Sequence, residues 1–484
     1  MKRLVGEVKR PVFETAVGYQ PFHAAMLLFP HPLQRERKHM VQAHSRALGT
    51  KRISEPYLLI EGGYPLSGEV SLPGAKNSAL PAIVAACLSD EEVVLHNVPL
   101  ELNDVAKLIK LLNDSGANVE IKGDELHCKG SAWMGGTLNA ELAGKIRHSL
   151  LLLGAAAHWR SSLFLPLPGG CNIGSRKHDM HVSALQELGF AMEESELGLH
   201  LRESQPKERT VITFPYPTFG GTLNVLFASV RSNAVVELHN AARNPEVLDV
   251  IKLLNDMGAS IEWLSSNSLQ ITGVERLHRA DFTVMSDRII ASTIISAVGA
   301  TKGSATIRNA TTRILESEVA VWRQAGLKIE EIDNGIYVEW NRPLEAVNVT
   351  TAAYPGFHTD IQPLHTVLMM NASGTSELKE TILDGRFSYC YELNKLGANI
   401  EVKDGGFLCV NGAAGQTAVI HGVDELYGTD LVATDIRGGA AVAVAALAAV
   451  GTSRITNLYQ LERGYGNFTE IFTALGAQIM KVNH

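Results

Sequence analysis

Leu111–Ile121 reads LLNDSGANVEI: an apolar helical ending, a glycine, then a run of strand-forming residues. A glycine just past a helix can take the left-handed conformation that closes it, and the β-branched residues that follow start a strand at once. The joint returns five more times: LQELGFAMEE around Gly189, LLNDMGASIEW around Gly258, WRQAGLKIEEI around Gly326, LNKLGANIEV around Gly397 and FTALGAQIMKV around Gly476. These glycines stand 68 to 79 residues apart. That exceeds the ~20–50 residues of solenoid repeats, so each unit is a small folded layer, and six copies make two groups of three. A second echo, VVLHNVP at Asn97, VELHNAA at Asn240, ATIRNAT at Asn309 and SRITNLY at Asn457, is a short strand closing on an asparagine turn.

The 484 residues, 45% hydrophobic, suffice for two cores. Five scattered cysteines without CxxC pairs suggest neither a disulfide framework nor a thiolate zinc site, and fit a reducing cytoplasm. The net charge of −8 combines a basic leader, residues 1–55 with ten Lys/Arg against four Asp/Glu, with an acidic remainder. An acidic body argues against a nucleic-acid binder. The run Phe22–Pro30 falls far short of the ~20 residues of a membrane span and reads as no export signal. With Met40 as an alternative start, the leader is expected to be a disordered arm or an over-extended reading frame. The alanine-rich run from Gly438 to Gly451 is expected to form a buried helix, and Asp287–Arg288–Ile289 to mark the crossing between domains, beside the cleft.

Pro168–His181, PGGCNIGSRKHDMH, is the chemically richest stretch. Cys171 follows two glycines and precedes Arg176, Lys177, His178 and His181, whose positive charge favours a thiolate on a mobile lid. Elsewhere Lys76 in PGAKNSALP, Arg147 in GKIRHSL, Arg386 in DGRF, Arg437 in TDIRGGA and Arg463 in ERGY are expected where helices or glycine turns begin. Free N–H donors there add to the side-chain charge and suit a phosphate or carboxylate. PGAKNSALP does not match the Walker pattern, so no nucleoside triphosphate site is expected. Asp360 in FHTDIQ follows a turn, where it reads either as a helix N-cap or, with the arginines, as a base.

PGAKNSALP, LPGGCNIGSR, NAARNPE, SDRI, FHTDIQ, DGRF, ATDIRGGAA and LERGYG occur in the order seen in enolpyruvyl transferases, and from Tyr57 to His484 the chain resembles that family. The resemblance implies an α/β, two-domain enolpyruvyl transferase fold, an inside-out α/β barrel with three βαβαββ repeats per domain. Domain one would span 75–285, and domain two 56–74 plus 286–484. It implies transfer of the enolpyruvyl group of phosphoenolpyruvate to the 3-hydroxyl of UDP-N-acetylglucosamine, releasing phosphate, as the first step of peptidoglycan synthesis. No metal and no organic cofactor are implied, and fosfomycin would target the thiol. Cys171 would protonate the methylene carbon. Lys76, Arg176 and Arg463 would hold the phosphate, and Arg386 and Arg437 the carboxylate. Asn77 and Asp360 would contact the sugar, with Asp360 taking the hydroxyl proton and Asp435 a second carboxylate for proton work. Arg147, the run Arg176, Lys177, His178, Asp179 and Met180, and Thr218, Phe219 and Gly220 would line the nucleotide side, with Ile382 also touching substrate.

The chain departs from the usual pattern on the acceptor side: Tyr216 stands for a frequent lysine, Asn244 and Ile290 for glutamates, and SYCYEL from Ser388 for a Met-His-Val-acid-Glu-Leu run. Two alternatives therefore stay open: enolpyruvyl transfer to another uridine nucleotide such as UMP in nucleoside-antibiotic synthesis, and a non-catalytic nucleotide-binding regulator.

Overall fold

All six echo glycines take positive φ, from 84° at Gly476 to 120° at Gly326, and Asn97, Asn240, Asn309 and Asn457 sit at 55–59°. The computed structural model describes residues 55–169, 178–202, 207–232 and 234–483. The leader through residue 54 and the stretch 170–177, with Cys171, Arg176 and Lys177, lie outside the described residues.

Around the joints the described residues build six four-stranded sheets. Each holds one parallel and two antiparallel pairings, as in the sheet where Ser67–Ser71 runs parallel to Ser304–Arg308 and the hairpin Leu327–Ile332, Gly335–Trp340 completes it. Two sheets are local to Gly136–Arg202 and Arg209–Thr272. A third joins the strands between Val93 and Lys129 to Ala280–Thr283, which returns to lie parallel to Val93–His96. In the second trio Tyr57–Gly62 enters between Gly451–Thr456 and Gln478–Val482, antiparallel to both.

The chain's first two described strands thus finish sheets made of much later segments, Ser304–Trp340 and Asp430–Val482, and two connecting segments run side by side. Ala75 N donates to Met285 O at 2.7 Å and Asp287 N to Pro73 O at 2.9 Å, which sets Pro73–Ala75 against Met285–Asp287.

Among the described residues each sheet carries at least two helices of different burial. The six inner helices, Lys76–Ala86, Leu151–His158, Phe219–Ser229, Arg288–Ala300, Gln362–Met369 and Ile436–Ala448, are buried almost throughout, the last being the expected alanine-rich helix. Outer helices such as Asn103–Asp114 bury one face, here Val105, Leu108, Leu111 and Leu112 at helical spacing. Strands such as Thr375–Glu380 alternate exposed and buried residues, so the sheets face solvent and the helices pack inside. Two separate hydrophobic cores result. One holds residues between Ala79 and Val284, the other Leu58–Leu72 with Ile289–Ile479. Among the described residues no helix is long and apolar enough to cross a membrane.

Candidate active site

The N-termini of the inner helices supply the walls of a cleft of about 500 Å³. Lys76 opens Lys76–Ala86, Arg147 opens the single turn before Leu151–His158, and Thr218 caps Phe219–Ser229 by accepting Gly221 N at 3.3 Å. Asp360 precedes Gln362–Met369, and Asp435 caps Ile436–Ala448 by accepting Arg437 N at 3.0 Å and Gly438 N at 3.2 Å. Helix starts turn N–H groups and the positive end of the helix dipole toward this space.

On one wall Asp360 is held between two arginines, Oδ1 to Arg386 Nη2 at 3.0 Å and Oδ2 to Arg437 Nε at 3.2 Å. Burial pushes its carboxyl up, but Arg437 and then Arg386 overcome this and hold it far below the carboxylate range. Arg437 is raised despite burial, chiefly by Asp360. Its Nη1 is buried and has no hydrogen-bond partner among the described residues. Asp360 is therefore not the N-cap that its turn allowed, since both its oxygens are spent on guanidiniums. Arg386 also reaches Asp435 at 3.4 Å.

Opposite charges meet again at Asp104, which accepts Lys76 Nζ at 2.7 Å and Arg463 Nε at 3.4 Å. Burial lowers the Lys76 ammonium, partly offset by Asp104, and Arg437 and Arg463 lower it further. Several cations are thus gathered in one space. Of the two settings expected, Arg463 takes the glycine turn: it follows the helix Leu458–Glu462 as its C-cap, just before Gly464. There a guanidinium suits the negative helix end, and its Nη2 donates to Lys145 O at 3.2 Å.

Asn77, Met180, Thr218, Phe219, Gly220 and Ile382 also line the cleft. His178 and Asp179 do not. His178 Nε2 meets Glu194 Oε1 at 2.6 Å, and Asp179 turns back to accept Met180 N at 3.0 Å. Across the cleft mouth His148 and Phe219 pack edge to face at 6.4 Å.

Sequence reasoning missed several lining residues, among them Asp104, Glu246, Tyr354 and His358. Glu246 makes a buried pair with Arg288, Oε1 to Nε at 2.8 Å, and both lie in quoted motifs, NAARNPE and SDRI. Their joint appearance at a motif end and a helix start was the available signal. Asp104 gave none, because an acid in the first turn of an amphipathic helix is ordinary.

Residues 60–472 match the family described as EPSP synthase (3-phosphoshikimate 1-carboxyvinyltransferase). The chain belongs to this family of enolpyruvyl transferases. Within it, the chain is 39% identical over 438 residues to UDP-N-acetylglucosamine 1-carboxyvinyltransferase of Novosphingobium aromaticivorans, covering 88% of this chain and 99% of that one. It is 37% identical over 432 residues to the enzyme of the same name from Lawsonia intracellularis, with the same coverage. Among solved structures the enolpyruvyl transferase NikO from Streptomyces tendae superposes with a TM-score of 0.77 at 25% identity, over 89% of this chain and all of NikO. An EPSP synthase from Acinetobacter baumannii, at 15% identity and a TM-score of 0.67, covers 88% of this chain and all of its own, and shares the enolpyruvyl transferase fold.

Proposed function

We propose that the protein transfers the enolpyruvyl group of phosphoenolpyruvate to the 3-hydroxyl of UDP-N-acetylglucosamine, with release of phosphate, and that the two cores are its domains, 75–285 and 56–74 plus 286–484. The carrying observation is Asp360 clamped by Arg386 and Arg437 in a cleft that also holds Lys76 and Arg463. Phosphoenolpyruvate carries its negative charge at two ends. Lys76 and Arg463, with Arg176, take the phosphate, while Arg386 and Arg437, including the unpartnered Nη1, take the carboxylate.

The acceptor hydroxyl adds to C2 of phosphoenolpyruvate while C3 gains a proton from Cys171. The resulting tetrahedral adduct then loses a C3 proton and phosphate, which restores the vinyl group on the new oxygen. Fixed guanidiniums stabilise the anionic adduct once water is excluded. Asp360 is a poor base while both arginines hold it. When the donor carboxylate draws on Arg386 and Arg437, the carboxyl rises toward a range where it accepts the hydroxyl proton. Donor binding thus primes the base. Cys171 is drawn from the stretch that begins just after Gly169. Gly169 N donates to Ala143 O at 3.3 Å, two residues before the carbonyl that receives Arg463.

The test is phosphate release by the purified protein with phosphoenolpyruvate and each of two acceptors. Release that depends on UDP-N-acetylglucosamine is expected. Release with UMP alone would shift the assignment to another uridine nucleotide, and tight nucleotide binding without release would make the protein a regulator.

A further inference from the structure

Glu380 ends the strand Thr375–Glu380, is 0% exposed and does not line the cleft, yet five donors converge on its carboxylate. Its two oxygens serve different segments. Oε2 accepts Thr359 Oγ1 at 2.9 Å and Gln362 Nε2 at 3.4 Å, the residues that bracket Asp360. Oε1 accepts Ile382 N at 2.8 Å and Leu383 N at 3.0 Å, in the turn leading to Arg386, and Thr351 Oγ1 at 2.9 Å. An ionised carboxylate accepts only, so a site made of donors suits it. The two segments so joined carry the two ends of the 3.0 Å Asp360–Arg386 contact.

We propose that Glu380 is a positioning residue for the base Asp360 and for the donor-carboxylate arginine Arg386, fixing the Asp360 turn against the Ile382–Arg386 turn, one oxygen to each. The inference rests on the enolpyruvyl-transfer reading above. The donor phosphate group of cations, Lys76 and Arg463, is anchored on Asp104 instead and is not reached by Glu380. Loss of the bridge therefore affects the attacking hydroxyl, its base and the arginine on the donor carboxylate, and spares the cations on the donor phosphate.

Glu380→Gln replaces one acceptor oxygen by a donor and releases one segment. Expected is a kcat lower by about ten- to hundredfold, with a several-fold higher KM for UDP-N-acetylglucosamine and a KM for phosphoenolpyruvate that rises as well, because Arg386 holds the donor carboxylate. A merely structural loss would lower the active fraction and leave both KM values alone. Should Glu380→Gln fail to fold, Thr359→Val removes a single bond on the Asp360 side of the bridge and is expected to lower kcat and raise the acceptor KM alone, while Thr359→Ser, which keeps the hydroxyl, restores the acceptor KM. Unchanged acceptor KM and kcat in Thr359→Val or folded Glu380→Gln would overturn the proposal, as would a Thr359→Ser variant impaired like the valine. A wild-type protein without turnover would instead overturn the enolpyruvyl-transfer reading, and this one with it.

Discussion

His358 stands next to the Asp360 turn and shows how one side chain fixes a catalytic backbone. Its Nδ1 accepts Asp360 N at 3.1 Å, and its own N–H donates to Glu318 Oε1 at 2.9 Å. Burial, then Arg288, push the ring down to about 4, so it is neutral at physiological pH with its proton on Nε2. That proton faces Asn244, 3.4 Å away, which satisfies it when the amide presents its oxygen. An asparagine side chain can place an acceptor near the Nδ1 position, whereas a glutamine reaches the Nε2 position. His358→Asn is therefore expected to keep most of the wild-type kcat, and His358→Gln to lose about tenfold or more. Equal losses in steady-state assays of the two would mean that the bond to Asp360 does not matter. Asn244 stands where the family pattern has a glutamate. Only the structure pairs it with His358, because the two are 114 residues apart and neither motif hints at the other.

The helix–glycine–strand joint is the element most legible in the sequence, and its chemistry goes beyond the glycine. Three residues before Gly116, Gly258 and Gly397 stand Asn113, Asn255 and Asn394, and each amide clamps the strand residue six positions on. Asn113 donates to Val119 O at 3.0 Å and accepts Val119 N at 2.8 Å, with the same pair at Ile261 and Ile400. The repeated asparagine was visible in the echoes, but its bond crosses the turn and becomes interpretable only in three dimensions. The inner-helix starts were legible for Lys76 and Arg437, since a turn and an apolar run mark them. Arg463 was legible as a cation but its Asp104 partner was not, and Glu380 was not legible at all, because these partners come from distant segments and polar residues at helix or strand ends are common.

The glycines themselves differ. At both Gly116 and Gly397 φ is near 95°, but a Cβ at Gly116 would lie 2.3 Å from Ala132 O, whereas at Gly397 the nearest atom is 4.0 Å away. Gly397→Ala should cost the left-handed strain of about 1–2 kcal/mol, and Gly116→Ala at least about 1 kcal/mol more, since backbone must move. Urea midpoints of the two variants check this, and equal midpoints would show that φ alone sets the cost.

At the scale of the whole molecule, two helix-filled cores bury groups that prefer to be neutral, and this ties stability to pH. Burial pushes His158 down to about 3, helped by Arg231, and His358 and His365 to about 4, from an ordinary 6.5. Below pH 6.5 the unfolded chain therefore binds protons that the folded protein refuses. Their contribution is complete above about pH 6.5 and is lost as pH falls toward 4. The paired Asp104 and Asp360, held low by their cations, act in the same sense at lower pH. Asp249, Asp287 and Glu318, raised by burial, oppose it. His365 isolates the effect, because it is fully buried, does not line the cleft and bonds through Nε2 to Val347 O at 3.1 Å. Between pH 7.5 and 5, wild-type stability from urea unfolding is expected to fall. His365→Gln should start lower and fall less steeply, by up to about 1.4 kcal/mol per pH unit for the one titrating group removed. Parallel slopes for the two proteins would show that this histidine does not couple folding to protons.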